Sequence, residues 1–194
     1  MELFFDTETT GLCEFKQPYT DNRQPDILQL AAILSTENQI YSEFKAIIDP
    51  SRISPDWKTD PVAEKTHEIT RDMVLDGGIS TRSSLIFFGG LMERADVGVC
   101  HNVDFDRKLI LTAAHRAGGS LLIERILSMK TYCTMQNSVD LCKIPFPSGR
   151  GYKWPNLLEL HKFLFGETFD GAHDALEDVR ACRRCYYEMR RRGL

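Results

Sequence analysis

The order in which apolar runs and breakers follow one another constrains this 194-residue chain more than any other feature. Three short apolar runs come first. Residues 3–6 run into a Thr/Gly turn and read as a strand. Residues 26–34, Asp-Ile-Leu-Gln-Leu-Ala-Ala-Ile-Leu, read as a buried second strand, and residues 40–48 as a third. Thr36-Glu37-Asn38 supplies the turn between the second and third, so the three predict a meander. Residues 50–61 then read as a loop, followed by short helices around 62–65 and 71–75. A helix over 80–94 is predicted although Gly89-Gly90 weakens it. A fourth strand (97–100), a helix (105–117) closed by Gly118-Gly119, and a fifth strand (130–134) follow. A loop over 143–154 and two closing helices, 156–165 and 175–189, complete the chain. The expectation is one α/β domain over residues 1–194, with a mixed five-stranded sheet flanked by helices.

Composition narrows the function classes. The net charge of −4 carries no basic signature of a passive nucleic-acid binder. A carboxylate cleft nevertheless attracts phosphate once divalent cations fill it. The six cysteines form no regular framework, and Cys182 with Cys185 is a lone CxxC without the second ligand pair that structural zinc needs. Those two are expected to be buried helix cysteines. Neither a signal peptide nor an apolar run of the ~20 residues a membrane span requires is visible, so the expected setting is a reducing cytoplasm.

Three segments concentrate acids. In Asp6-Thr7-Glu8, the two carboxylates lie two apart on an extended chain and so share a face, within reach of the same hard cations. The alternative is a turn whose acids point into water. In His101-Asn102-Val103-Asp104-Phe105-Asp106, helical phase separates the aspartates. Asp106 shares the apolar stripe of Ile110, Ala113 and Ala117 and needs a partner there, whereas Asp104 lines up with Lys108 and His115 and reads as a cap or solvated. His101 reads as a hydrogen-bonded structural residue. In the third segment, Asp174 with Glu177 three residues on resembles a capping box, which leaves His173 in the loop and Asp178 one turn inside the helix. Within one helix, positions 173 and 178 would diverge by about 140°. With His173 outside, both side chains can converge on one cleft. Asp178 also shares the stripe of Ala175, Cys182 and Cys185.

Together, Asp6, Glu8, Asp106 and Asp178 are four inward acids, with His173 as a titratable base beside them. Four carboxylates without a matching cationic cluster suit two Mg²⁺ or Mn²⁺ ions. At this point the chain resembles the DEDDh, or DnaQ-like, 3′→5′ exonucleases of the ribonuclease H-like fold. Phe-Phe-Asp-Thr-Glu-Thr-Thr-Gly-Leu is similar to the family's first motif, His-Asn-Val-Asp-Phe-Asp to its second, and His173-x₄-Asp178 to its third. Thr66-His67-Glu68-Ile69-Thr70 resembles a His-Gly-Ile-Thr segment of the family, with Glu68 in place of the glycine. The match runs over roughly residues 2–189.

The resemblance implies that Asp6, Glu8, Asp106 and Asp178 hold two divalent cations, with His173 as the base. It also implies substrate contacts at Thr7, Thr9, Leu12, His67, Ile69 and Phe105, Leu12 wedging against the terminal base. The implied activity releases nucleoside 5′-monophosphates from the 3′ end of a single strand, DNA favoured, in a proofreading or repair role. An exoribonuclease trimming RNA is the alternative within the same chemistry, since only contacts to the 2′-hydroxyl separate the two. A catalytically silent nucleic-acid-binding or polymerase-associated module is the alternative of another class, and the intact five-residue set argues against it. A DxDxT phosphatase is disfavoured by Glu8 in place of the second Asp. A polymerase and a second copy of the chain remain open as partners, and a membrane is not expected. Softer signals are the arginines at the end of the last helix and the Arg150, Lys153 and Trp154 mixture, in which Trp154 is expected to be a core anchor.

Overall fold

The computed structural model describes Met1–Leu194. Strands β1 (Glu2–Thr9), β2 (Ile27–Ser35) and β3 (Ile40–Asp49) form the expected antiparallel meander. Strands β5 (Val97–Cys100) and β6 (Thr131–Cys133) add in parallel on the far side of β1. A two-residue strand, β4 (Ile79–Ser80), pairs with Ile48 and Asp49 at the end of β3. The sheet therefore has six strands, in the order β4-β3-β2-β1-β5-β6, rather than the expected five. Two residues are too few to leave a periodic signal, so β4 exists only through its partner.

The helices are α1 (Pro61–His67), α2 (Arg71–Gly77), α3 (Thr81–Met92), α4 (Val103–Arg116), α5 (Ser120–Ser128), α6 (Thr134–Asn137), α7 (Val139–Cys142), α8 (Leu157–Phe165) and α9 (Ala175–Arg191). Helix α3 forms despite Gly89 and Gly90, because Ser80 caps it and Leu85, Phe88 and Met92 are buried. Core burial outweighs a glycine penalty of about 1 kcal/mol each. Helices α5, α6 and α7 were not legible in advance. Helix α5 has no side-chain cap and buries one residue, Ile126, so neither end nor face marks it.

Strand β2 is buried at all nine positions because helices cover both faces of the sheet. On one face Phe4, Ala31, Ile33 and Val99 meet Val179, Cys182 and Tyr186 of α9. On the other, Leu3, Phe5, Leu30 and Ala32 meet Phe88 of α3 and Leu109 and Ile110 of α4. Phe4 packs edge-on against Tyr186 at 5.4 Å, and Phe5 against Phe88 at 5.3 Å. Each such aromatic contributes about 1.5–3 kcal/mol through burial. Cys182 and Cys185 are buried free thiols on α9, as expected. No helix is long and apolar enough to cross a membrane. The parallel strands β1, β5 and β6 end on the same edge of the sheet, where ligands of such sheets gather.

Candidate active site

Side-chain alternation along β1 decides which way its acids face. Phe4 lies under α9, so Asp6 and Glu8 project to that side, and Thr7 to the side of α4. The Thr7 backbone N–H donates to Oδ1 of Asp106 at 3.0 Å, and the Thr7 hydroxyl donates to the same oxygen at 2.8 Å. Asp106 is 2% exposed, on the first turn of α4, where the helix dipole favours a negative charge. Asp104 is exposed on the same turn and accepts from Gln136 at 3.0 Å, on the outer side that helical phase predicts.

His101 sits at the end of β5 with both ring nitrogens engaged. Its Nε2 lies 3.0 Å from the carbonyl of Pro155, which can only accept, so Nε2 carries the proton. Nδ1 then accepts from the Thr134 hydroxyl at 3.0 Å. Burial lowers its pKa to about 4, which keeps the ring neutral in this structural role.

The His173 turn is built backwards from α9. Asp174 caps the helix, accepting from the N–H of Leu176 at 3.1 Å, and pairs with Lys45 of β3. Glu177 does not close a capping box. Its carboxylate turns to Arg180 at 2.6 Å, because an i,i+3 ion pair is available there. The N–H of Ala175 donates to Oε1 of Gln29 at 2.8 Å, tying the helix to β2. His173 itself has φ 71°, in the left-handed region, and its N–H donates to Oδ2 of Asp178 at 3.1 Å. The turn thus keeps the exposed imidazole out of the helix and over the same cleft as Asp178. Ligand atoms of Glu8, His173 and Asp178 lie within 4.8 Å of one another.

All four acids have raised pKa values. Desolvation is the largest cause for Asp6, with repulsion from Asp106, Asp178 and Glu8 added. Desolvation and then Asp178 and Asp106 push Glu8 up to about 8. Asp178 and Asp106 are raised chiefly by burial, against hydrogen bonds from His173 and Thr7 that favour the charged forms. Burying four carboxylates together is unfavourable unless positive charge joins them. Hard oxygen donors of this number, with one imidazole at the rim, fit divalent cations such as Mg²⁺ or Mn²⁺.

Beside the acids lies a groove of about 570 Å³, lined by Glu8, Thr9, Leu12, Val62, His67 and Phe105 among others. Leu12 is 89% exposed on its rim and Phe105 is half-buried. One of the expected substrate contacts is corrected. Ile69 is 3% exposed and packs with Leu28, Trp57 and Val74, away from the groove. Thr7 lines the groove, although it is 5% exposed and both its donors serve Asp106. His67 reaches the groove wall, but its ring is engaged within the protein. Nδ1 accepts from the N–H of Ile69 at 3.0 Å, so Nε2 donates to the Thr9 carbonyl at 3.2 Å. Trp154, expected in the core, is 62% exposed. Its loop folds as a hairpin of its own.

Glu68, where the resembled segment has glycine, closes α1 at φ 60°. That left-handed backbone explains why glycine suits the position. Gln29 and Lys45, which fix the α9 terminus, were not among the expected site residues. Gln29 was visible as the lone amide in an apolar strand, whereas Lys45 carries no local signal.

The RNase_T family model, described as Exonuclease, matches residues 3–186. DNA polymerase III subunit epsilon of Treponema pallidum (strain Nichols) is 29% identical over 192 residues, covering 95% of this chain and 74% of that protein. The 3′-5′ exonuclease DinG of Bacillus subtilis (strain 168) is 27% identical over 158 residues, which is 81% of this chain but 14% of DinG. Among solved structures, E. coli Exonuclease I in complex with a dA16 oligonucleotide superposes with a TM-score of 0.70 at 18% identity, over 98% of this chain and 41% of that one. Exonuclease I from Methylocaldum szegediense gives 0.68 at 20% identity, over 98% and 40%. At such identities these structures establish the shared fold, and the chain spans about two-fifths of their length.

Proposed function

The chain belongs to the RNase_T exonuclease family, and from that membership we propose a divalent-metal-dependent 3′→5′ exonuclease that removes nucleoside 5′-monophosphates from single-stranded DNA. One observation carries the reading: Asp6, Glu8, Asp106, Asp178 and His173, from three distant segments, converge at the carboxyl end of β1. Support for DNA comes from the relatives, an epsilon subunit of a DNA polymerase and Exonuclease I bound to dA16.

In this reading Asp6, Glu8, Asp106 and Asp178 hold two cations. When bound, the cations neutralise the carboxylates, make water more acidic and stabilise the charge on the phosphoryl oxygens. The protein's own groups set the geometry. Thr7 fixes the Asp106 carboxylate, and Asp178 fixes the His173 backbone. The His173 imidazole, exposed beside Glu8 and Asp178, accepts a proton from the attacking water. The new P–O bond forms in line with the departing 3′ oxygen of the preceding nucleotide. Leu12 and Phe105 bracket the terminal base at the groove.

Incubating the protein with 5′-labelled DNA and RNA oligonucleotides and Mg²⁺ or Mn²⁺, with EDTA controls, tests this. The expected result is a ladder shortening from the 3′ end, faster on DNA, and abolished by EDTA. Persistence of both full-length substrates with either metal would reject it. The epsilon relative makes a polymerase the first partner class to test by co-purification.

A further inference from the structure

Residues 144–153 form an ordered hairpin. The N–H of Lys153 donates to the carbonyl of Ile144 at 2.8 Å, that of Phe146 to Gly151 at 3.2 Å, and Pro145 bridges Tyr152. Three aromatic side chains stand out from it and its base: Phe146 (46% exposed), Tyr152 (44%) and Trp154 (62%). Tyr152 and Trp154 are two apart, so in extended backbone they share a face. Lys153 turns the other way and pins the hairpin to α8 through Glu159 at 2.6 Å. Aromatic faces held out together by an ordered hairpin are available to a partner.

Charge identifies the partner. Lys143 and Arg150, at the base and tip, take part in no ion pair. On α9, by contrast, Arg180, Arg191 and Arg192 are neutralised by Glu177, Glu43, Glu37 and Glu188. The hairpin thus combines free cations with aromatic faces in a chain of net charge −4. That pairing suits a polyanion with exposed π-faces, namely unpaired nucleotides.

Position ties the hairpin to the catalytic end. The carbonyl of Pro155, next to Trp154, is held at 3.0 Å by His101, which precedes the helix carrying Phe105 and Asp106. We infer that the hairpin face bearing Tyr152 and Trp154, with Arg150 at its tip, is a stacking platform for single-stranded nucleotides upstream of the one being removed. This rests on the exonuclease reading above and extends it to a second, remote contact with the strand.

The test separates the two claims. The p-nitrophenyl ester of thymidine 5′-monophosphate engages only the catalytic end, whereas a single-stranded oligo(dT) would reach both. Trp154→Ala and Arg150→Ala are expected to raise KM for oligo(dT) by roughly five- to tenfold, leaving its kcat and turnover of the ester unchanged. An unchanged KM for oligo(dT) alongside intact ester cleavage overturns the platform and spares the exonuclease. Binding gives an independent readout. Of the two tryptophans, Trp57 is 6% exposed, so quenching of emission by oligo(dT) reports Trp154. Saturable quenching that disappears in Trp154→Phe supports the platform even if the wild type cleaves neither substrate. Oligo(dT) binding without quenching overturns it, and leaves the face to a protein partner.

Discussion

Thr7 directs both of its polar hydrogens at one oxygen of Asp106, which makes it a positioning residue for the acid cluster. Outer-sphere partners of this kind typically change activity or metal affinity 10–100-fold. Thr7→Val keeps the shape and removes the hydroxyl. It is expected to lower kcat by about tenfold, with KM for the oligonucleotide little changed, in steady-state assays at saturating metal. His173 stands differently, because in the proposed mechanism it accepts the proton of the attacking water. His173→Ala should cost roughly 10²–10⁴ in kcat at neutral pH. Near-normal turnover by the purified variant would remove the base assignment. His67, by contrast, has no free ring nitrogen, and its neutral form is favoured by burial.

At the scale of elements, the site depends on how helix ends meet strands. Helix α9 is anchored by Gln29 from β2 and Lys45 from β3, so the meander positions His173 although it contributes no acid to the cluster beyond Asp6 and Glu8. Helix α1 ends at Glu68 in a left-handed conformation that costs a side-chain-bearing residue about 1–2 kcal/mol. Glu68→Gly is therefore expected to stabilise the protein by about 1 kcal/mol, seen as a rise of about 2–4 °C in Tm. An unchanged or lower Tm would mean that the exposed Glu68 side chain has a compensating contact. How much was legible also differs by element. The three meander strands and α9 were readable because their apolar periods match their geometry. Strand β4 and helices α5, α6 and α7 were not, since each is short or shows one buried residue at most on a surface stretch, apart from the Thr134-Met135 turn.

Across the whole molecule, the acid cluster links stability to pH and metal. The folded pKa of Glu8 is raised, so its protonated form is the one folding prefers. The associated stability is fully present below the ordinary glutamate value of 4.5 and is lost as pH rises toward about 8. Asp6, Asp106 and Asp178 shift in the same direction. In EDTA, Glu8→Gln should therefore melt higher than wild type at pH 8, with the difference vanishing near pH 4. Added Mn²⁺ should raise the wild-type Tm at pH 8 and raise that of Glu8→Gln less. Thermal denaturation at the two pH values, with and without Mn²⁺, measures both. A wild type insensitive to Mn²⁺ would contradict the cation-binding role of the cluster.

The sequence alone determined the orientation of the acids, because strand alternation and helical phase are properties of local backbone geometry. Asp6 and Glu8 share a face at a spacing of two, Asp106 turns inward where Asp104 turns out, and a capped helix starting at Ala175 leaves His173 free. Only the tertiary structure decided what lies opposite each side chain. Thr7 meets Asp106 across 99 residues, and Ala175 meets Gln29 across 146. Ile69 is covered by Trp57 and Val74, whereas Trp154 is left 62% exposed. Burial and hydrogen bonding at these positions depend on which distant segment packs there, and no local period records that.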